Sequence, residues 1–263
     1  MSKKIIVLIA LFLYLLFHAF VVEPNSLEVT KYELKNSTLK GVRVVFMSDL
    51  MLKRRDYKRL DKIIKLTEKQ EPSIVLIGGN FARGKNYKNS MDVELIAQKF
   101  KSLGVSVFAV LGDYDWWSDG KTIIDKLTKD GITVLENSNK RIILNGSYVD
   151  IIGVADLRTR QSDIQKAMSR TRNPRILITH NPDIYYDVID EVSVILAGGT
   201  LGGQVILPFS SPMFVNSKYG VGFASGLISK TNNKMIISKG VGTAPIPIRF
   251  GCKPEIVVVD FVD

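Results

Sequence analysis

The chain has 263 residues, long enough to bury a substantial core as one large domain or two small ones. Lys and Arg number 36 against 26 Asp and Glu, a formal net charge of +10 that favours anionic partners. Because this charge is spread along the chain, it marks no specific nucleic-acid site. Cys252 is the single cysteine, which excludes an intramolecular disulfide and a cysteine-based structural zinc site.

Residues 5–22 carry no charge that is fixed at neutral pH. Their length meets the roughly 17–25 residues a membrane-spanning helix needs. A cleaved signal peptide is the competing reading. Its apolar core is usually shorter, about 7–15 residues, and ends at small residues, whereas this run ends Phe-His-Ala-Phe-Val-Val-Glu-Pro. Residues 1–22 are therefore expected to form an uncleaved single-pass anchor in the lipid bilayer, and His18 to be a tolerated polar residue near its end. Lys3 and Lys4 precede the span and place the body on the non-cytoplasmic side, against the weaker pull of Lys31, Lys35 and Lys40.

Glu23-Pro24-Asn25-Ser26 breaks the helix, and residues 23–40 read as a connector with a first strand. The body, 41–263, alternates apolar β-rich runs with amphipathic ones. Strands are expected at Gly41–Ser48, Ser73–Ile77, Val105–Leu111, Arg175–Thr179 and Val192–Ala197, and helices at Arg54–Gln70, Met91–Leu103, Gly120–Lys129 and Arg160–Arg172. In Arg54–Gln70, Tyr57, Leu60, Ile63, Ile64 and Leu66 recur at helical spacing. This alternation implies βαβ units in a largely parallel buried sheet. Asn145-Gly146, between Arg141–Leu144 and Tyr148–Val154, is a strong hairpin signal. Beyond Gly203 the chain turns mainly to β, at Gln204–Leu207, Gly220–Leu227, Lys234–Ser238 and Glu255–Val262. Asn36-Ser37-Thr38 and Asn145-Gly146-Ser147 match the glycosylation pattern, the second being better explained as the hairpin turn.

Ligands of open α/β sheets bind beyond the carboxyl ends of strands. Those ends read Met47-Ser48-Asp49-Leu50-Met51, Ile77-Gly78-Gly79-Asn80-Phe81, Leu111-Gly112-Asp113-Tyr114-Asp115, Thr179-His180-Asn181-Pro182-Asp183 and Ala197-Gly198-Gly199-Thr200-Leu201-Gly202-Gly203-Gln204. Any one Asp or Asn here is explained by capping or a turn. Four such ends in succession suit a divalent metal that holds a phosphate.

In order and spacing these segments resemble the motifs of calcineurin-like metallophosphoesterases, and of their bacterial membrane-anchored branch most closely. Ser217-Lys218-Tyr219, Gly240-Val241-Gly242-Thr243 and Pro247-Ile248-Arg249-Phe250-Gly251 look like the tail of that branch. The resemblance implies an α/β fold, a four-layer α/β/β/α sandwich with two mixed sheets behind an N-terminal transmembrane helix. It also implies a dinuclear metal site, onto which Asp49 and His180 map as ligands. Asn80 stands where the family has the bridging Asp, and Asp113 where it has an Asn. Met51, Tyr114, Gly199 and Leu201 stand at four histidine positions: three metal ligands and, at Tyr114, the histidine that supports the transition state.

A neutral amide cannot bridge two cations, Gly199 and Leu201 offer no donor, and a thioether suits hard cations poorly. A dinuclear centre is therefore not expected. The site is expected to be decayed, in a protein that binds or scaffolds; alternatively Asp49, Asn80, Asp113 and His180 surround one Mn²⁺ or Mg²⁺ in a weak phosphoesterase. In the enzyme reading the resemblance and the anchor imply a phosphorylated lipid or cell-envelope substrate; an anionic lipid or phosphate ester is the ligand expected in either. Trp116-Trp117 reads as a cleft wall or as turn packing, and the glycines at 198–203 as turn geometry rather than a phosphate cradle. Ser48 and Ser210 have no histidine beside them in sequence, so a Ser–His hydrolase finds no support.

Overall fold

The computed structural model describes residues 2–84, 89–159 and 161–263. Twelve strands among them form two six-stranded mixed sheets. The first runs β1 (Glu28–Lys35), β12 (Glu255–Val262), β2 (Arg43–Met47), β3 (Ile74–Ile77), β4 (Val107–Ala109), β5 (Thr133–Val134). The second runs β10 (Gly226–Ile228), β11 (Met235–Ile237), β9 (Val194–Ala197), β8 (Arg175–Thr179), β7 (Ser147–Val154), β6 (Ser138–Leu144).

The two-residue side-chain period of a strand sorts the core into layers. From β2, Val44 and Phe46 point between the sheets, where Ile151, Ile178 and Leu196 of the second sheet meet them. Val45 and Met47 point the other way, onto α2 (Tyr57–Glu68), α3 (Val93–Lys101) and α4 (Asp113–Lys129). The outer face of the second sheet packs on α5 (Ile164–Met168) together with Ile184, Tyr185 and Phe223. Helix, sheet, sheet, helix is the expected layering.

Several boundaries differ from the sequence reading for local reasons. α4 begins at Asp113, not Gly120, because Gly112 takes the N-cap and the Asp115 carboxylate accepts its N–H; Asp119 then breaks the helical dihedrals inside α4. The last helix covers only Ile164–Met168; of the expected Arg160–Arg172, Arg160 lies outside the described residues. Gln204–Leu207 forms no strand, only a single bridge from Val205 to Phe250, and Gly220–Phe223 is a 3-10 turn ahead of β10. The Asn145-Gly146 turn is as expected, with positive φ at both residues. Asn36 caps the turn at Ser37–Leu39, its Oδ1 accepting the Leu39 N–H at 3.2 Å.

α1 (Lys3–Phe17) continues through π and 3-10 turns to Asn25, giving one helix of 23 residues that contains an 18-residue stretch of mean hydropathy 2.9, long and apolar enough to cross a membrane. A signal sequence would meet the same criteria. Its C-terminal end is built into the body. The Arg249 N–H donates to Ala19 O at 2.9 Å, and Glu23, buried, accepts the Cys252 N–H on Oε1 at 2.5 Å. Arg59 Nη1 donates to Pro24 O at 2.7 Å, and Lys62 Nζ to Asn25 O at 2.9 Å. The following Phe250 exchanges main-chain bonds with the 204–206 segment, whose continuation exposes Leu207, Phe209, Met213 and Phe214.

Candidate functional site

Every strand end singled out in the sequence arrives at one edge of the sandwich. β2 delivers Asp49, β3 Asn80, β4 Asp113, β8 His180 and β9 the turn from Gly198 to Gln204. Asp49, Asn80, Asp113 and His180 are all buried.

Asn80 is the hub. Its Nδ2 lies 3.1 Å from Asp49 Oδ1, 3.1 Å from Asp113 Oδ1 and 2.9 Å from His180 Nε2. The amide is held in this sense by Tyr114, whose N–H donates to Asn80 Oδ1 at 3.0 Å. Turning it over would set its oxygen against two carboxylates and its NH₂ against an N–H. Two amide hydrogens serve the two carboxylates as charge-assisted bonds. Asp49 is completed by Ser48 Oγ at 2.9 Å and the Gly199 N–H at 3.0 Å, both on Oδ2.

His180 Nδ1 sits 2.6 Å from Gly78 O, and Nε2 faces Asp113 Oδ1 at 3.6 Å and Asp49 Oδ1 at 3.9 Å. Burial pulls the imidazole pKa down, but the hydrogen bond to Asp113 and the charges of Asp49 and Asp113 outweigh it, pushing it up to about 10. Burial works against the Asp113 carboxylate too, yet His180, Asn80 and Arg158 hold it well below the usual range. Asp113 Oδ2 lies 3.5 Å from Arg158 Nη1. The two carboxylates thus face the His180 ring, and Asp113 also faces the Arg158 guanidinium.

As they stand, the four candidate ligands do not present a donor set: a nitrogen carrying hydrogens occupies the shared point, and the Asn80 oxygen is turned away. Among the described residues no group of three or more His, Cys, Asp or Glu side chains is arranged to hold a metal ion. The other family positions close the site sideways. Met51, Leu201 and Ala244 form a small apolar cluster with Tyr114 packed on it. Met51 (φ 42°) and Leu201 (φ 55°) keep a left-handed backbone that costs a bulky side chain on the order of 1–3 kcal/mol. A Cβ on Gly199 would stand 3.0 Å from both His180 Nε2 and His180 O, so this loop has settled onto the imidazole.

Gly198 is tighter still, since a Cβ there would come within 2.2 Å of Ser48 Oγ. Gly198→Ala is expected to lose about 1–3 kcal/mol through overpacking, measured by thermal denaturation, while Gly222→Ala, which meets only Lys230 Nζ at 3.8 Å, stays near wild type.

Above the cluster opens a cleft of about 250 Å³ whose walls include Tyr114, Trp117, Phe214 and Arg158. Trp117 lines it with its ring centroid 5.6 Å from that of Tyr114, whereas Trp116 packs on the core and crowds Gly120. Gln204 and Asn216 are spent on the walls, donating to Ala244 O and Gly199 O. Burial and the charges of Asp113 and Asp49 push the Tyr114 phenol up, so it stays protonated and can donate a hydrogen bond.

Sequence reasoning missed two residues here. Arg158 brings a cation whose Nη2 is fixed on Asn216 O at 2.7 Å, and Asp156 is a fully buried carboxylate whose Oδ1 has no partner among the described residues. Both follow β7, a sixth strand end reading Val154-Ala155-Asp156-Leu157-Arg158. Taking that hairpin as a detour from the βαβ rhythm hid them. Asp115 is the other buried acid: the N–H groups of Asn80, Gly112 and Ala82 donate to it at 2.7–3.0 Å, yet burial outweighs them and pushes it up to about 6.

Comparison with known proteins agrees with the motif reading at the level of ancestry. No protein-family profile matches the chain. It is 28% identical over 254 residues to the uncharacterized metallophosphoesterase YkuE of Bacillus subtilis, spanning 92% of this chain and 87% of that one. It is likewise 28% identical over 254 residues to an uncharacterized metallophosphoesterase of Aquifex aeolicus, spanning 90% and 92%. Among solved structures, phosphopantetheinyl hydrolase of Mycobacterium tuberculosis superposes with a TM-score of 0.44 at 9% identity, over 80% of this chain and 95% of that one. The chain is a distant homologue of metallophosphoesterases.

Proposed function

We propose that this chain is a membrane-anchored metallophosphoesterase homologue that binds a phosphate ester or anionic lipid in its cleft without hydrolysing it, as a binding or scaffolding protein. One observation carries the reading: the Asn80 side-chain nitrogen sits at the point that Asp49, Asp113 and His180 share, where two-metal hydrolysis needs cations. The apolar packing of Met51 and Leu201 and the approach of Arg158 to Asp113 at 3.5 Å support it. Arg158 and the aromatic walls suit an anionic group joined to an apolar or planar one.

Residues 1–22 serve as a single-pass anchor, 23–40 as the connector with β1, and 41–263 as the body on the non-cytoplasmic side. Support comes from the apolar helix and from the exposed apolar loop at 207–214 near its base. A carboxyl-terminal reporter active only outside the cytoplasm tests the orientation.

A second reading has a specific basis. Asp49, Asp113 and His180 converge, and inversion of the Asn80 amide would add its oxygen as a fourth donor, so one Mn²⁺ or Mg²⁺ could support weak phosphodiester hydrolysis. Metal analysis of the purified protein beside a generic phosphodiester assay under Mn²⁺ separates the two. The binding reading expects neither metal nor turnover. Stoichiometric metal with turnover that Asp49→Ala abolishes overturns it.

A further inference from the structure

We infer that a second cavity, at the junction of the anchor helix and the body, is a binding site for the phosphate headgroup of an anionic lipid. It is separate from the Asn80 site, and the inference rests on the membrane-anchor reading above. The cavity holds about 330 Å³, room for a headgroup and not for acyl chains. Phe20 and Pro24 of the anchor's end form its apolar side, and Lys53, Lys58, Arg59 and Arg83 its charged side.

The charged side is unbalanced. Asp56 is the one acid in its lining, and its Oδ2 already accepts the Lys53 N–H at 2.9 Å. None of the four cations makes an ion pair among the described residues. Two are fixed without being neutralised. Arg59 donates to three oxygens, Pro24 O at 2.7 Å, Asn25 Oδ1 at 3.1 Å and Val241 O at 2.5 Å, while Arg83 Nη1 donates to Thr243 O at 3.2 Å. Burial, with Arg249 and Arg83 nearby, pulls Arg59 down to about 10.

Lys58 and Arg59 also lie in the first turn of α2, a helix of 12 residues whose only nearby acid at that end is its N-cap, Asp56. The positive end of the helix dipole adds to theirs, the reverse of the usual placement of charge. An anion seated among them relieves all of these repulsions at once.

The apolar side identifies the anion's carrier. Phe20 is 42% exposed and continues the apolar surface of Phe17, Val21 and Val22 along the anchor, a track for acyl chains that free phosphate would not need. Met51 borders both this cavity and the cleft.

The test uses the full chain, extracted in mild detergent with an equimolar mixture of phosphatidylglycerol and phosphatidylcholine and examined by native mass spectrometry. Wild type should retain phosphatidylglycerol preferentially, and Lys53→Gln with Lys58→Gln, both exposed, should cut that preference about tenfold. Arg83→Gln should weaken it as well. Equal retention of both lipids, or a preference unchanged in the double variant, overturns the site. Loss of bound lipid to excess inorganic phosphate overturns its assignment to a lipid. Alkaline carbonate extraction of native membranes distinguishes the premise: release of the chain refutes the anchor, whereas retention without lipid preference refutes only the headgroup site.

Discussion

Asn80→Asp destabilises the metal-free protein by about 3–5 kcal/mol at neutral pH, a fall of about 10 °C in Tm by thermal denaturation after chelator treatment. The substitution is nearly isosteric, so the effect is electrostatic. It removes the two hydrogens that bind Asp49 and Asp113 and sets a third carboxylate about 3 Å from each, a repulsion that the single His180 ring 2.9 Å away offsets only in part. The pH dependence has a definite sign. The new carboxyl has a folded pKa above its unfolded value, so the folded state keeps its proton longer. The deficit is small below about pH 4 and grows as pH rises toward the folded pKa. Mn²⁺ then stabilises the variant by mass action, by about 2.7 kcal/mol at a hundredfold excess over its Kd, and leaves wild type unmoved. A variant as stable as wild type without metal would refute the role given to the Asn80 amide.

Arg249→Leu is expected to cost about 4 kcal/mol, and Arg249→Lys about half as much, read in the same denaturation assay. Arg249 is fully buried, yet it faces main-chain carbonyls rather than a carboxylate. Its Nη2 donates to Lys239 O at 2.8 Å, Gly240 O at 3.1 Å and Gly242 O at 2.6 Å, and Nη1 to Cys252 O at 3.1 Å. Leucine keeps the bulk and leaves those oxygens unpaired in a dry interior. Lysine has three donors on a flexible stem and cannot reproduce the planar fork. A change of less than about 1 kcal/mol for Arg249→Leu would mean that water or local rearrangement takes over the carbonyls.

Much of this arrangement is legible in the sequence because strand ends are. Asp49, Asn80, Asp113 and His180 each follow an apolar run by one to three residues, and a parallel sheet brings such positions to a single edge. The two sheets follow from the same runs, since alternating buried faces require two layers. What the sequence hides is the direction of a side chain. Asp113 and Asn80 read as an exchange that returns a carboxylate to a metal site. The amide nitrogen turned inward, held by the Tyr114 N–H, can be known only from coordinates. The apolar cluster of Met51 and Leu201 is similarly non-local, joining residues 150 positions apart. Gln204–Leu207 misled because its β-prone composition sits beside a turn whose backbone is fixed from outside, by Phe250.

The way the apolar helix ends has a mechanical consequence. Bonds from Arg59, Lys62, Arg249 and Cys252 gather on Ala19, Glu23, Pro24 and Asn25, pinning both ends of the segment that joins helix to body. Helix and body must therefore tilt and turn together. A flexible leash would let the cleft sweep a volume. On the anchor reading proposed above, a rigid collar holds its opening at one height and one heading above the membrane, so the protein surveys a plane.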